Sequence, residues 1–154
     1  MIKVNVIPNN IRWKKYLKNP QNYLDKKIKL INKKNILYKK KLLIFSIMLS
    51  DSKEIKKLNK KFRNKNRTTD VLSFPFYEKN DLRNILKHNK EIYLGDIIIN
   101  LNKIENKNNK TNFRLEFNKL WIHGLVHLLG YDHKKDKDFY KMIEVEKKFI
   151  SYLD

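Results

Sequence analysis

The sequence predicts an α+β domain in which a small mixed β-sheet carries helices packed on it. Three observations lead there. Short apolar runs of strand character ("IKVNVI", "LLIFSIMLS", "VLSFPF", "YLGDIIIN") are separated by lysine-rich stretches whose apolar residues recur at helical spacing. The two kinds of segment do not alternate strictly, as an all-parallel α/β sheet would require. At 154 residues the chain suits one hydrophobic core, so one domain is expected over 1–154.

The elements come in order. Ile2, Val4 and Val6 alternate with polar residues, so the first strand has one apolar face. Asn10 suits a helix cap, and Asn19 and Pro20 interrupt the chain beyond that helix. Leu24, Ile28, Ile31 and Ile36 then mark a lysine-rich helical stretch. "LLIFSIMLS" is an uninterrupted apolar run bounded by charge, expected to be a central strand. Asp51 and Glu54 stand in capping-box spacing ahead of a helix with Ile55, Leu58 and Phe62 on one face. "RNKNRTTD" reads as a polar loop. "VLSFPF" is a strand that Pro75 pushes to a sheet edge, because proline cannot donate to a ladder. The polar span from Tyr77 to Glu91 reads as a long loop, either mobile or functional. After "YLGDIIIN" a polar segment leads to a helix from about Phe113 to Leu129, and a last helix runs from about Asp136 to Tyr152.

Composition narrows the class. Cysteine is absent, which excludes disulfide-linked partners and thiolate metal ligands and fits a reducing cytoplasm. The opening "MIKVNVIPNN" lacks the apolar segment of a signal peptide, and "LLIFSIMLS" is about half the length that spans a bilayer. A soluble cytoplasmic protein without a membrane partner is expected. The formal net charge of +20 points to a polyanion: RNA, DNA or an acidic membrane surface. An A/T-rich genome would yield the same abundance of Lys, Asn and Ile. If the charge is functional, Lys and Arg should gather on the face that bears the active site.

Three of the four histidines, His123, His127 and His133, fall within "HGLVHLLGYDH". On a helix, His123 and His127 lie about 40° apart around the axis and one turn apart along it, so both rings reach one point. Gly130 suits a helix end in the left-handed conformation, from which the chain can bring His133 back to that point. Three imidazoles suit one Zn2+ per chain and leave a coordination position open, as catalytic zinc sites do. The histidines and the glycine match the metzincin protease pattern, but Gly124 stands where those enzymes carry their general-base glutamate.

"HGLVHLLGYDH" resembles the signature of the YbeY family of bacterial endoribonucleases. "LNKKFR" with "TTDVLSFPF", then "YLGDIIIN", "RLEF" and "MIEVE", resemble further blocks of that family in its order, from about Ser52 to Glu146. Phe62 departs from the pattern, where a tyrosine is common. The resemblance implies a zincin-like layered fold and zinc held by His123, His127 and His133. It further implies a functional arginine at Arg63 and metal-dependent cleavage of RNA in 3′-end maturation of small-subunit ribosomal RNA and ribosome quality control. The implied partners are ribosomal RNA and the ribosomal small subunit. Two other readings stay open: a non-catalytic, zinc-stabilised ribosome-assembly factor and a metalloprotease. The general base is also open among Asp132, Glu116 and water on the metal. Asp96 reads as structural, His88 as exposed and Met142 as core.

Overall fold

The structure, a computed structural model, describes residues 1–133 and 136–153. In chain order it contains β1 (Ile2–Pro8), a 3-10 turn (Ile11–Lys15), α1 (Pro20–Lys34), β2 (Leu42–Ser50) and α2 (Ser52–Arg63). Then come β3 (Val71–Pro75), α3 (Lys79–His88), β4 (Glu91–Asn100), a short 3-10 turn (Leu101–Lys103), α4 (Lys110–Leu128) and α5 (Asp136–Ser151). The four strands form one mixed sheet in the order β1-β2-β4-β3. β1, β2 and β4 run parallel, and β3 is antiparallel to β4 at the edge. The expected α+β fold is present, and Pro75 ends the edge strand, where no further strand needs its missing N–H.

β2 is central because both of its faces are covered. Leu43, Phe45, Ile47 and Leu49 enter the main core with Leu24, Ile28 and Ile31 of α1 and with Phe117, Trp121 and Leu125 of α4. Met48 faces the other way, toward a small cluster of Ile55, Leu72 and Ile98 beneath α2. In β4, Ile97 and Ile99 join the main core and Ile98 joins the small one, which is the period-two alternation of a strand. Gly95 lies at an irregularity in the β2–β4 register with φ of +130°, and an added Cβ would lie 2.2 Å from the Phe74 carbonyl oxygen.

Four expectations change. Asn19 and Pro20 do not merely interrupt: Asn19 caps α1 by accepting from the Asn22 N–H, and Pro20 occupies its first turn. Ile36 lies beyond α1 and is exposed, since the helix ends before its apolar face comes round again. The span from Tyr77 to Glu91 is no loop, because α3 occupies most of it and buries Leu82. Phe62 is exposed beyond the buried Ile55 and touches Phe74 edge-on.

α4 is the helix that matters for chemistry. Its last half is apolar almost all round, with Trp121, Ile122, Leu125, Val126 and Leu128 buried. A helix of that kind is enclosed by other elements, here the sheet and α5. Among the described residues no helix is long and apolar enough to cross a membrane.

Candidate metal centre

Polar side chains on an enclosed helix need partners, and His123 and His127 have them. α4 ends in a Schellman turn. The Gly130 N–H donates to the His127 carbonyl at 2.9 Å and the Tyr131 N–H to the Val126 carbonyl at 3.2 Å. Gly130 takes φ of +87°, which glycine adopts without the Cβ penalty. The turn aims the Tyr131 carbonyl back at the helix, where it accepts from His127 Nδ1 at 3.0 Å. His123 Nδ1 meets Glu146 Oε1 of α5 at 2.7 Å. A carbonyl and a carboxylate can only accept, so both Nδ1 atoms carry the proton. With both rings in the neutral state that binds a metal, each Nε2 is a bare lone pair, and the two face each other at 3.2 Å.

Two lone pairs at that distance repel unless a cation lies between them. His133 completes the group, with one ligand atom from each ring and all three atoms within 4.8 Å of one another. Imidazoles bound at ~2.0–2.1 Å in a tetrahedral shell stand ~3.3–3.4 Å apart, close to the spacing that His123 and His127 already hold. The residues therefore fit a metal ion. Burial lowers the pKa of His127, with the charges on His123 and His133 acting the same way and the Tyr131 carbonyl opposing. His127 thus stays neutral, the ligating state, from ordinary imidazole values near 6.5 down to its own lower pKa, and loses that state only below it.

Glu146 is the residue at the histidine group that the sequence reading missed. A signal existed: Met142, Glu146 and Phe149 share one face of α5, and Met142 and Phe149 are buried. A carboxylate in a buried stripe needs a partner. Glu146→Gln keeps the shape but replaces a charged acceptor with a neutral amide. Metal affinity should fall about 10–100-fold, read by competition with a chromogenic chelator.

Gly124 also finds its reason. An added Cβ would meet three atoms of the Ile97 side chain at 2.7–2.9 Å. The helix that carries the histidines therefore lies close on β4, and position 124 faces the sheet, not the histidines. Gly124→Ala should cost about 1–3 kcal/mol through overpacking, measured by denaturant unfolding of the metal-free protein.

The histidines open into a cleft of about 1060 Å³ bordered by the β3 edge, the start of α3 and the loop after α2. Arg63 lines it, at the end of α2. Its Nη2 donates to the Ser73 carbonyl at 2.8 Å, and its guanidinium lies over the Phe74 ring at 5.6 Å. The "RNKNRTTD" loop that forms the rim is tied down. Asn59 Nδ2 donates to the Arg67 carbonyl, and the fully buried Asn100 donates to Thr68 Oγ1 and the Thr69 carbonyl.

Other candidates fall into place. Glu116 does not line the cleft and pairs instead with Lys119 at 2.8 Å, two helical turns from His123. Asp132 lines the cleft, and its Oδ1 accepts from the His133 N–H at 2.7 Å. Asp96 accepts from the Tyr93 hydroxyl, His88 is exposed at the end of α3, and Met142 is buried. The cleft itself is close to charge-balanced, with Arg63, Lys65 and Lys79 against Asp70, Glu78 and Asp132. Among the described residues, the cleft lining shows no excess of cations, although a functional basic charge at this face would require one.

A mixed sheet carrying a buried helix, a histidine pair one turn apart and a third histidine after a glycine turn define a class: α/β proteins whose central helix can hold a metal ion at an open cleft. Comparison with known proteins names the family. The family described as Endoribonuclease YbeY matches residues 8–154. The endoribonuclease YbeY of Pelagibacter ubique is 43% identical over 148 residues, spanning 95% of this chain and 92% of that protein. The endoribonuclease YbeY of Thermodesulfovibrio yellowstonii is 41% identical over 133 residues, spanning 84% and 76%. The solution structure of TM1509 from Thermotoga maritima is similar at a TM-score of 0.59 and 33% identity, covering 99% of this chain and 89% of that one. The chain belongs to the endoribonuclease YbeY family and is an RNA-cleaving hydrolase.

Proposed function

We propose that the protein cleaves RNA at a zinc centre formed by His123, His127 and His133, and that its substrate is ribosomal RNA. The observation that supports the metal is the pair of Nε2 lone pairs facing each other at 3.2 Å, each fixed by an acceptor behind the ring. The chemistry that zinc supplies when bound is Lewis-acid chemistry, polarising a phosphate oxygen or acidifying a water. The chain's own residues do the rest. Glu146 and the Tyr131 carbonyl hold the imidazoles in the ligating tautomer. Arg63 contacts the scissile phosphate with the edge of its guanidinium that Ser73 leaves available, and so stabilises the growing negative charge. Asp132, on the cleft wall beside His133, is the carboxylate placed to take a proton.

The competing readings are weaker. At position 124 a glutamate has no room between α4 and Ile97, so the protease base is excluded on packing as well as on sequence. A zinc held only as a staple has four protein ligands as a rule, whereas this group has three members among the described residues and opens into a cleft. In a cell the substrate would be the small-subunit ribosomal RNA near its 3′ end, met in the cytoplasm on the small subunit or its precursor. The test is incubation of purified protein with a single-stranded RNA carrying that region. Cleavage that a chelator stops and zinc restores supports the proposal; cleavage indifferent to chelator removes the metal from it. Unstructured peptides should remain intact in the same samples.

A further inference from the structure

A second large concavity lies at the opposite end of α4 from the histidines. It measures about 780 Å³ and is walled by the first 3-10 turn, the first half of α1 and the start of α4. Among the described residues, six lysines and Arg114 line it, and no carboxylate does. The contrast with the charge-balanced histidine cleft is direct. Among the described residues, the basic excess of this chain has a local concentration in this groove, away from the lining of the histidine cleft.

Among the described residues, these cations have no acidic partners. The ion pairs between described residues join Arg12 to Asp51, Lys79 to Asp138 and Lys119 to Glu116, and none reaches this groove. Lys18, Lys26 and Lys110 are exposed on its rim. Like charges collected around a concavity repel one another, and a bound polyanion relieves that repulsion. The remaining wall suits a nucleotide chain. Tyr16 stacks on Phe113 at 5.0 Å, the Arg114 guanidinium lies over the Tyr23 ring at 5.5 Å, and Asn19, Asn22 and Asn108 offer amides. A bilayer surface is flat, whereas these cations surround a hollow. About 20 Å of helix axis separates Arg114 from His127, so the groove cannot belong to the subsite around the scissile phosphate.

We propose that this groove is a second RNA-binding site, which grips a segment of the substrate remote from the bond that is cut. The inference rests on the RNA-cleavage reading above. It predicts that long RNA is held at two places and short RNA at one.

The test compares two triple variants with the parent protein. Lys18→Gln/Lys26→Gln/Lys110→Gln removes three charges from the groove. Lys33→Gln/Lys57→Gln/Lys87→Gln removes three exposed lysines elsewhere and serves as control. For a long single-stranded RNA, the groove variant should show KM raised about tenfold or more. The slope of log affinity against log salt should become shallower by about 2, from roughly 0.7 for each of three phosphates. A trinucleotide, too short to bridge the sites, should be cleaved at the parental kcat/KM. The control variant should match the parent on both RNAs. A groove variant with parental KM and salt slope on long RNA, or one no different from the control, overturns the groove while leaving the activity standing. A parent that cleaves neither RNA overturns the activity reading and the groove with it. Loss of binding to phosphatidylserine vesicles in the groove variant, with RNA affinity unmoved, also overturns the proposal and assigns the groove to a lipid surface.

Discussion

Purified His127→Ala should contain no stoichiometric zinc and should not cleave RNA above the rate of a metal-free control. His127 holds one of the two facing Nε2 atoms and is itself held through Nδ1 by the turn at Gly130 and Tyr131. Removing one of three imidazoles leaves two ligands, too few for a stable zinc centre. The helix should survive, because alanine is a good helix former and His127 is only partly buried. Circular dichroism of the variant checks that the loss is chemical and not structural, and metal analysis reads the result. A variant that retains zinc at the parental level would remove His127 from the centre.

Arg63→Ala should keep its fold and its zinc but cleave RNA about 10²–10³-fold more slowly, the usual cost of losing one preorganised donor to a developing charge. The structure adds a reason why this arginine is preorganised. Its Nη2 bond to the Ser73 carbonyl and its position over Phe74 fix the guanidinium at the cleft wall before substrate arrives. Arg63→Lys should recover part of the loss, since an ammonium supplies charge but not the planar two-pronged contact. Lys61→Ala, two residues away on the exposed surface, removes the same charge outside the cleft and should behave like the parent. Equal rates for Arg63→Ala and the parent would make Ser73 and Phe74 the arginine's whole purpose.

Legibility differed by residue. β2 was readable because a nine-residue apolar strand bounded by charge has few alternatives. Pro75 announced the edge. The metal group was readable because its members are close in sequence, so helical geometry and one glycine turn suffice to bring them together. Glu146 was legible only in part: its stripe on α5 called for a partner, but that the partner is His123 depends on how α5 packs against α4, which no local pattern encodes. α3 was missed for a related reason. Only Leu82 is fully buried in that element, and its lysines and asparagines read locally as loop. Nor could composition say where the charge sits. The lysines of the distal groove come from 15–30 and 107–114, segments that only the fold unites.

The central claim is that RNA cleavage depends on one metal ion held by three histidines. The measurement that tests it most directly is a zinc titration of metal-free protein with the RNA cleavage rate as readout. The rate should rise in proportion to added zinc and break at about one ion per chain, the stoichiometry of a single three-imidazole site. Full cleavage before any zinc is added, or a rate that ignores occupancy of the histidines, would contradict the account.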